Sequence, residues 1–142
     1  KRIRNESGDL ETINVQQTRP LYGQSAHVAN LSVLYKNQEN GIDAQLAGGY
    51  TGDRINTVSQ FLDNDLWQKG FIQMDASVEK TFRNGLGVFL KANNLLDTPM
   101  EVYMKNSNAA NARIPNQDLS GKTLIRRDRY QRSYLLGVRY KF

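Results

Sequence analysis

Few residues in this sequence are of types that could carry acid, base or metal chemistry. The 142 residues contain a single histidine, His27, and no cysteine, which excludes a thiolate or His-rich metal site. Asp63 and Asp65 lie in "LDNDLW", with Asp53 upstream, and Ca²⁺ prefers such oxygen ligands. The glycine and the spacing of an EF-hand loop are missing, however. We therefore expect no catalytic residue, no bound metal and no cofactor, and we interpret the protein as not an enzyme.

A second candidate is the basic segment "LIRRDRYQRS" at residues 124–133. Residues 110–142 hold eight Lys/Arg and two acids, a net charge of +6, whereas the whole chain carries +5. Because guanidinium groups bind anions such as phosphate in a fork geometry, we predict that Arg126, Arg127 and Arg129 contact an anion. A solvated, charged loop is the alternative. Nucleic acid is not expected, since basic and aromatic residues do not interleave on one platform.

Period-two alternation of apolar and polar residues is the dominant pattern and predicts β-strands. The predicted strands are about 27–36, 42–51, 71–82, 86–94 and 133–142. Arg2–Asn5 and Leu10–Val15 could form a further hairpin across Ser7–Asp9. Segments 6–25, 52–70 and 95–132 are predicted as long loops. No helix is predicted, and no apolar run reaches the ~18 residues that a membrane helix needs.

The short connections predict the strand register through their Asn-Gly pairs, which favour hairpin turns. A two-residue turn at Asn40-Gly41 would place Tyr35 opposite Leu46. A three-residue turn, Arg83-Asn84-Gly85, would pair Val78 with Leu90 and make Gly85 left-handed. The three-residue choice follows because a slip by one residue would turn the apolar face of the fourth strand to the wrong side.

The arrangement of turns and loops favours a membrane barrel over a soluble sandwich. Short turns alternate with long loops along the chain. Transmembrane β-barrels have the same arrangement, with short turns at one end of the barrel and long loops at the other. The predicted strands have about ten residues, the length that a tilted strand needs to cross hydrocarbon, whereas soluble strands cluster nearer ~5–6 residues. The predicted fold class is therefore all-β, an antiparallel transmembrane β-barrel segment. A soluble β-sandwich binding module remains the alternative.

This interpretation assigns an inside and an outside to each strand. The polar face would look into the lumen, with Lys91 diagonal to two acids, and the predicted lumen residues are Asp75, Glu79, Lys91, Asn93 and Arg139. Lys80 falls on the lipid face close to a turn, where its ammonium could reach the headgroups. The last strand would turn five residues to lipid: Tyr134, Leu136, Val138, Tyr140 and Phe142.

Three stretches of the sequence resemble one family. They are "RPLYGQSAHVANLSVLY" (19–35), "LKANNLLDTP" (90–99) and "LLGVRYKF" (135–142). The family is the TonB-dependent outer-membrane receptors of Gram-negative bacteria, especially the Bacteroidetes type. The first stretch is similar to the entry into a late barrel strand of these receptors, and the second to the motif that ends a late strand and opens a long outer loop. The third is similar to their C-terminal strand. The resemblance covers most of residues 19–142.

The resemblance implies a barrel of about 22 strands, closed around a plug, that takes up a scarce ligand with energy from TonB. This chain would be the C-terminal part of one such barrel domain, without the plug. We thus expect a fragment, as a sequence beginning with Lys1 also suggests. A passive outer-membrane porin is the nearer rival, and the transported ligand is not specified.

The implied partners follow from that location in the bacterial outer membrane. They are the rest of the barrel and its plug, TonB through the plug, outer-membrane lipid, a surface lipoprotein, and the barrel-assembly machinery. That machinery would read the final strand through an assembly signal formed by Tyr134, Leu136, Val138, Tyr140 and Phe142. Lipopolysaccharide phosphates are the anions expected near Arg126, Arg127 and Arg129.

Overall fold

The computed structural model of the chain describes residues 1–105 and 122–140. Within them the chain is all-β, and every pair of strands is antiparallel, as predicted. None of the described residues form a helix long and apolar enough to span a membrane. The strands are β1 (Arg2–Arg4), β2 (Leu10–Thr12), β3 (Val28–Asn37), β4 (Ile42–Thr51), β5 (Arg54–Thr57), β6 (Leu66–Gln68), β7 (Phe71–Thr81), β8 (Leu86–Asn93), β9 (Met100–Lys105), β10 (Lys122–Asp128) and β11 (Ser133–Tyr140).

The strands divide between two compact units. The first unit comprises Lys1–His27, Gly52–Gly70 and Met100–Asp128, and the second comprises Val28–Thr51, Phe71–Pro99 and Arg129–Phe142. The second unit holds one sheet in the order β11-β8-β7-β4-β3, called here the long-strand sheet. The first unit holds the hairpin β1-β2 and a sheet in the order β10-β9-β6-β5, called here the short-strand sheet.

The long-strand sheet is a meander, because its strands neighbour one another in the order in which the chain reaches them. Its strand ends lie close to the predicted ones, and β3 and β4 have ten residues each. The alternation in the sequence produces this sheet directly, since successive side chains of a strand point to opposite faces.

The turn between β7 and β8 confirms the predicted register. Val78 is the partner of Leu90, and Gly85 has the left-handed φ of 83°. The Phe82 N–H donates to the Leu86 carbonyl at 2.7 Å, which closes the three-residue turn.

The register predicted for β3 and β4 is wrong by two residues, because the turn spans residues 38–41 and Tyr35 faces Ala44 rather than Leu46. Only Gly41 is left-handed there, with φ 59°, whereas a two-residue turn of the expected type needs two such residues. The Asn37 side chain accepts the Asn40 N–H at 2.9 Å and stabilises the wider turn. A shift of two residues preserves the faces, so the predicted apolar face survives.

The short-strand sheet lies in segments for which the sequence predicted long loops. Segment 52–70 contains β5 and β6, and the described part of segment 95–132 contains β9 and β10. Irregular register interrupts β5 between Ile55 and Thr57 and β10 between Leu124 and Arg126. The hairpin considered for the first residues is present, with Arg2 opposite Thr12 and Gly8 at φ 90°.

Burial differs between the units. The buried apolar side chains of the first unit are Ile55, Val102, Tyr103 and Met104, and Ala92 is the corresponding residue of the second unit among the described residues. The first unit therefore has a small core of its own.

Candidate functional site

One face of the long-strand sheet is a continuous apolar surface, called here the apolar face. Tyr35, Ala44, Val78, Leu90 and Leu136 form one transverse row across all its strands. Many large side chains of this face are exposed, from 41% for Tyr50 to 74% for Leu31. Its further apolar members are Ala29, Val33, Ile42, Leu46, Tyr50, Ile72, Met74, Ala76, Leu86, Val88, Ala92, Tyr134, Val138 and Tyr140.

Aromatic residues stand near both ends of the apolar face. Tyr35 and Tyr140 lie close to the short turns, and Tyr50 and Tyr134 lie at the opposite strand ends. The remaining predicted member of the last strand, Phe142, and its neighbour Lys141 fall outside the described residues. The apolar face thus has aromatic side chains at two levels, with aliphatic ones between them.

Lys80 is the charged residue of this face, and its ammonium is directed towards the turn between β3 and β4. The Lys80 Nζ donates to the Asn40 carbonyl and lies 5.7 Å from the centroid of the Phe82 ring. The charge therefore sits at the edge of the apolar surface, in the direction that the sequence predicted.

The opposite, polar face carries the predicted lumen residues. Arg139 on β11 forms an ion pair with Glu79 on β7, and its side chain crosses β8 at Gly87. A Cβ at Gly87 would lie 3.0 Å from the Arg139 Cγ, so the glycine makes room for this crossing. A second ion pair, Lys36–Asp43, joins β3 and β4 at 3.8 Å.

Lys91 is the register partner of Ser77 and therefore lies diagonal to Asp75 and Glu79, as predicted. Within residues 1–105 and 122–140 it forms no ion pair with Asp75 or Glu79, and its ammonium lies 5.9 Å from the Phe89 ring. Asp75 instead accepts the Asn94 N–H at 2.8 Å. The Asn93 side-chain amide donates to the Ser133 hydroxyl at 3.1 Å.

The "NLLD" segment, residues 94–97, forms a tight turn that joins three strands at the end opposite the short turns. Asn94 and Asp97 are left-handed, with φ 54° and 48°. The Asn94 side chain donates to the Gln131 carbonyl before β11 at 2.9 Å. The Leu95 N–H donates to the Met74 carbonyl of β7 at 2.8 Å. This motif therefore links the three strands, whereas the sequence predicts only that it ends a strand and opens a long loop.

The predicted anion contacts of the basic segment are only partly available. The Arg126 Nε pairs with Asp128 at 2.9 Å, and the Arg127 Nε pairs with Glu101 at 2.7 Å. Arg126 and Arg127 are neighbours on β10, so they point to opposite faces of the short-strand sheet. Arg129 follows β10 and belongs to the second unit. Contact of the three with an anion stays a prediction.

Glu101 on β9 forms ion pairs with two basic residues of the first unit, Arg127 on β10 and Lys69 directly after β6. Its second carboxylate oxygen accepts the Lys69 ammonium at 3.0 Å. The hydrogen bond from Lys69 and that from Arg127 lower the pKa of Glu101 below its usual 4.5, although burial opposes the shift.

Asp53 and Tyr103 form a second polar link in the first unit. The Tyr103 hydroxyl donates to Asp53 at 2.7 Å, and the Gly70 N–H donates to the other oxygen of that carboxylate at 2.7 Å. Burial alone would raise the pKa of Asp53, but these hydrogen bonds and the charges of Lys122 and Lys105 lower it below 3.8. Burial, followed by the hydrogen bond to Asp53, raises the pKa of Tyr103.

The aspartates considered for metal binding have other partners. Asp65 pairs with Arg19 at 3.2 Å and with Lys1 at 3.8 Å, and it accepts the Ser59 N–H at 2.7 Å. No cluster of three or more potential metal ligands occurs in the part of the chain that the structure describes. His27 contributes its carbonyl, which accepts the Gly52 N–H at 2.9 Å.

Comparison with protein-family models, curated proteins and solved structures found no match to this chain.

Proposed function

We propose that this chain forms part of the wall of an outer-membrane β-barrel, and that the barrel is a receptor that imports a scarce ligand with energy from TonB. The observation that carries the proposal is the exposed apolar face of the long-strand sheet. Exposed apolar patches of more than a few hundred Å² are rare on soluble monomers and indicate a partner surface or a membrane.

The dimensions of this face fit a bilayer. Strands β3 and β4 have ten residues each, which corresponds to ~33 Å at ~3.3 Å per residue. A tilt of ~40° reduces the height to ~25 Å, the height of the apolar band of outer-membrane barrels. The aromatic residues at both ends of the face, Tyr35 and Tyr140 against Tyr50 and Tyr134, correspond to the two interfacial girdles.

A soluble sandwich is the weaker candidate because it would cover such a face with a second sheet. The described strands of the second unit all belong to one sheet, so this unit supplies no covering layer of its own. A sheet in lipid must also be closed, since unpaired strand edges are not tolerated in hydrocarbon. The edges of β3 and β11 would then pair with further strands of the same barrel.

Import rather than passive diffusion is proposed from the family resemblance of residues 19–35, 90–99 and 135–142. The ion pairs of the polar face, Glu79–Arg139 and Lys36–Asp43, suit a hydrated or protein-filled lumen and therefore fit both a receptor and a porin. A passive porin would have the same wall, and a test of energy coupling must separate the two.

The first experiment tests the membrane face with two adjacent leucines. Leu135 and Leu136 lie side by side on β11, are 53% and 70% exposed, and point to opposite faces. The full-length product of the gene that encodes this chain is inserted into phospholipid vesicles with a fluorescent label at Leu135→Cys or Leu136→Cys, any other cysteine being replaced. We expect brominated lipid to quench the label at position 136 and aqueous iodide to quench the one at position 135. Equal quenching by iodide at both positions would reject the barrel.

The second experiment tests coupling to TonB. Outer-membrane vesicles that contain the full-length protein are mixed with the soluble C-terminal domain of TonB, and retention of that domain is measured. Retention above that of vesicles lacking the protein supports a TonB-dependent receptor. Background retention, with insertion intact, would leave the porin.

A further inference from the structure

Two lysines face each other on neighbouring strands of the short-strand sheet. Lys105 on β9 and Lys122 on β10 are direct register partners. Like charges in this position destabilise a sheet pair, so their placement needs a compensating interaction. Each ammonium has one: Lys105 Nζ lies 3.6 Å from the centroid of the Trp67 ring, and Lys122 Nζ lies 4.6 Å from that of Tyr103.

The two cation–π contacts repeat one geometry. Trp67 on β6 is the register partner of Tyr103 on β9, so both rings lie on the face that also carries Lys105 and Lys122. Each lysine leans diagonally onto the ring of the preceding strand in the sheet, Lys105 onto β6 and Lys122 onto β9. Because both lean in the same direction, the two charges remain neighbours on this face.

Neither charge is neutralised by a carboxylate at ion-pair distance within residues 1–105 and 122–140. The charge of Asp53 interacts with both ammonium groups, but its two oxygens accept the Gly70 N–H and the Tyr103 hydroxyl rather than either lysine at ion-pair distance. The contrast with the neighbouring arginines of β10 is direct, since Arg126 holds Asp128 and Arg127 holds Glu101. Among the described residues, Lys105 and Lys122 thus lack the carboxylate partners that Arg126 and Arg127 have.

We propose that Lys105 and Lys122 form a binding site for a phosphate group. Two adjacent ammonium groups supply donors for separate oxygens of one dianion. The aromatic rings position the lysine side chains beforehand, which reduces the entropy lost on binding. The site stands on the first unit alone and does not depend on the membrane proposal.

Trp67 provides the readout because it is the only tryptophan of the sequence. The full-length protein in detergent micelles, with any other tryptophan replaced by phenylalanine and its fold checked by circular dichroism, is titrated with inorganic phosphate and separately with chloride at matched ionic strength. We expect a saturable change of Trp67 emission with phosphate only, because the bound dianion changes the electrostatic environment of the Trp67 ring that Lys105 contacts. An identical change with chloride would overturn the site.

The variants Lys105→Gln and Lys122→Gln should each weaken phosphate binding about tenfold, which corresponds to losing ~1.4 kcal/mol of a charge-assisted contact. Binding is also followed by the broadening of the phosphate ³¹P resonance, which does not depend on Trp67. Arg126→Gln is the matched control, because it removes one positive charge from β10 whose partner is Asp128, and its affinity should be unchanged. Unchanged affinity in the Lys105→Gln/Lys122→Gln double variant would refute the proposal.

The source of the phosphate is resolved by competition. If lipopolysaccharide displaces inorganic phosphate and its dephosphorylated form does not, the site takes a lipid phosphate. If neither form displaces inorganic phosphate, the site takes a soluble phosphate compound. Displacement by the dephosphorylated form as well would contradict phosphate recognition.

Discussion

The two sheets of this chain treat large apolar side chains in opposite ways. In the short-strand sheet Ile55, Val102 and Tyr103 are buried, whereas in the long-strand sheet Leu31, Leu46 and Leu136 are exposed. The first sheet is stabilised by a core and by polar links such as Asp53–Tyr103. The second sheet has a large apolar surface that no other described part of its own unit covers. Strand pattern alone therefore does not define a core, and burial has to be read separately for each sheet.

The largest expected effect comes from placing a charge on the apolar face. Leu46→Arg should lower the stability of the inserted full-length protein by ~2–4 kcal/mol, the cost of an arginine near the bilayer midplane. Gln45→Arg, one residue away on the polar face, is the control and should be tolerated. The folded fraction in vesicles is measured by its shifted gel mobility without heating. Equal insertion of both variants would show that the apolar face of the long-strand sheet does not contact lipid.

A smaller effect is expected from Gly137 on the polar face. A Cβ there would lie 2.6 Å from the Phe89 Cε1, so Gly137→Ala should displace the ring and destabilise the pairing of β8 with β11 by ~1–3 kcal/mol. Gly48→Ala is the control, because a Cβ at Gly48 meets no atom within 4 Å. Urea unfolding in detergent measures both, and equal midpoints would show that the ring adapts freely.

In the short-strand sheet, Tyr103→Phe should cost ~1 kcal/mol, since it removes one hydrogen bond to a carboxylate that water can partly replace. Trp67 emission during urea unfolding reports this loss. The control is Tyr130→Phe, whose side chain is 70% exposed and whose loss of a hydroxyl should be silent. A silent Tyr103→Phe would mean that Asp53 does not stabilise this sheet.

The smallest effect is a pH dependence of the first unit. The pKa values of Asp53 and Glu101 are lowered in the folded chain from 3.8 and 4.5. Their contribution to stability is thus complete above about pH 4.5 and is lost as the pH falls through the lowered values. Unfolding midpoints followed by Trp67 should decline in this acid range. Glu101→Gln should make the decline shallower, and an unchanged slope would exclude Glu101 as its source.

The sequence predicted the long-strand sheet well because alternation over ten residues fixes both the strand and its faces. The requirement that the apolar residues of β7 and β8 share one face also identified the left-handed Gly85. The register at Asn40-Gly41 failed because the capping contact from Asn37 depends on a side-chain conformation that residue types do not specify. The ion pair of Glu79 with Arg139 was not predicted. It forms because Gly87, which has no side chain, lies opposite Arg139 on the intervening strand β8 and lets the arginine reach β7.

The short-strand sheet could not be predicted on the same basis. Its strands β5 and β6 have four and three residues, too few for alternation to be distinguished from chance. The partner strands β6 and β9 are far apart in the chain, and two irregular registers shift the alternation. Lys105 and Lys122 therefore look like ordinary charged loop residues until the pairing of β9 with β10 is known.

The register shift between Leu124 and Arg126 has a consequence for how this chain could vary. The extra residue makes Arg127, and not Arg126, the partner of Glu101. Because Ile125 is the residue without a partner, its deletion would restore a regular ladder and leave Arg127 opposite Glu101. If Ile125 instead paired with Val102, Arg126 would stand opposite Glu101, so the bulge decides which of the two neighbouring arginines pairs with this carboxylate. Alignments of related chains at this point should therefore be judged by which residues of β10 pair with β9, rather than by residue identity.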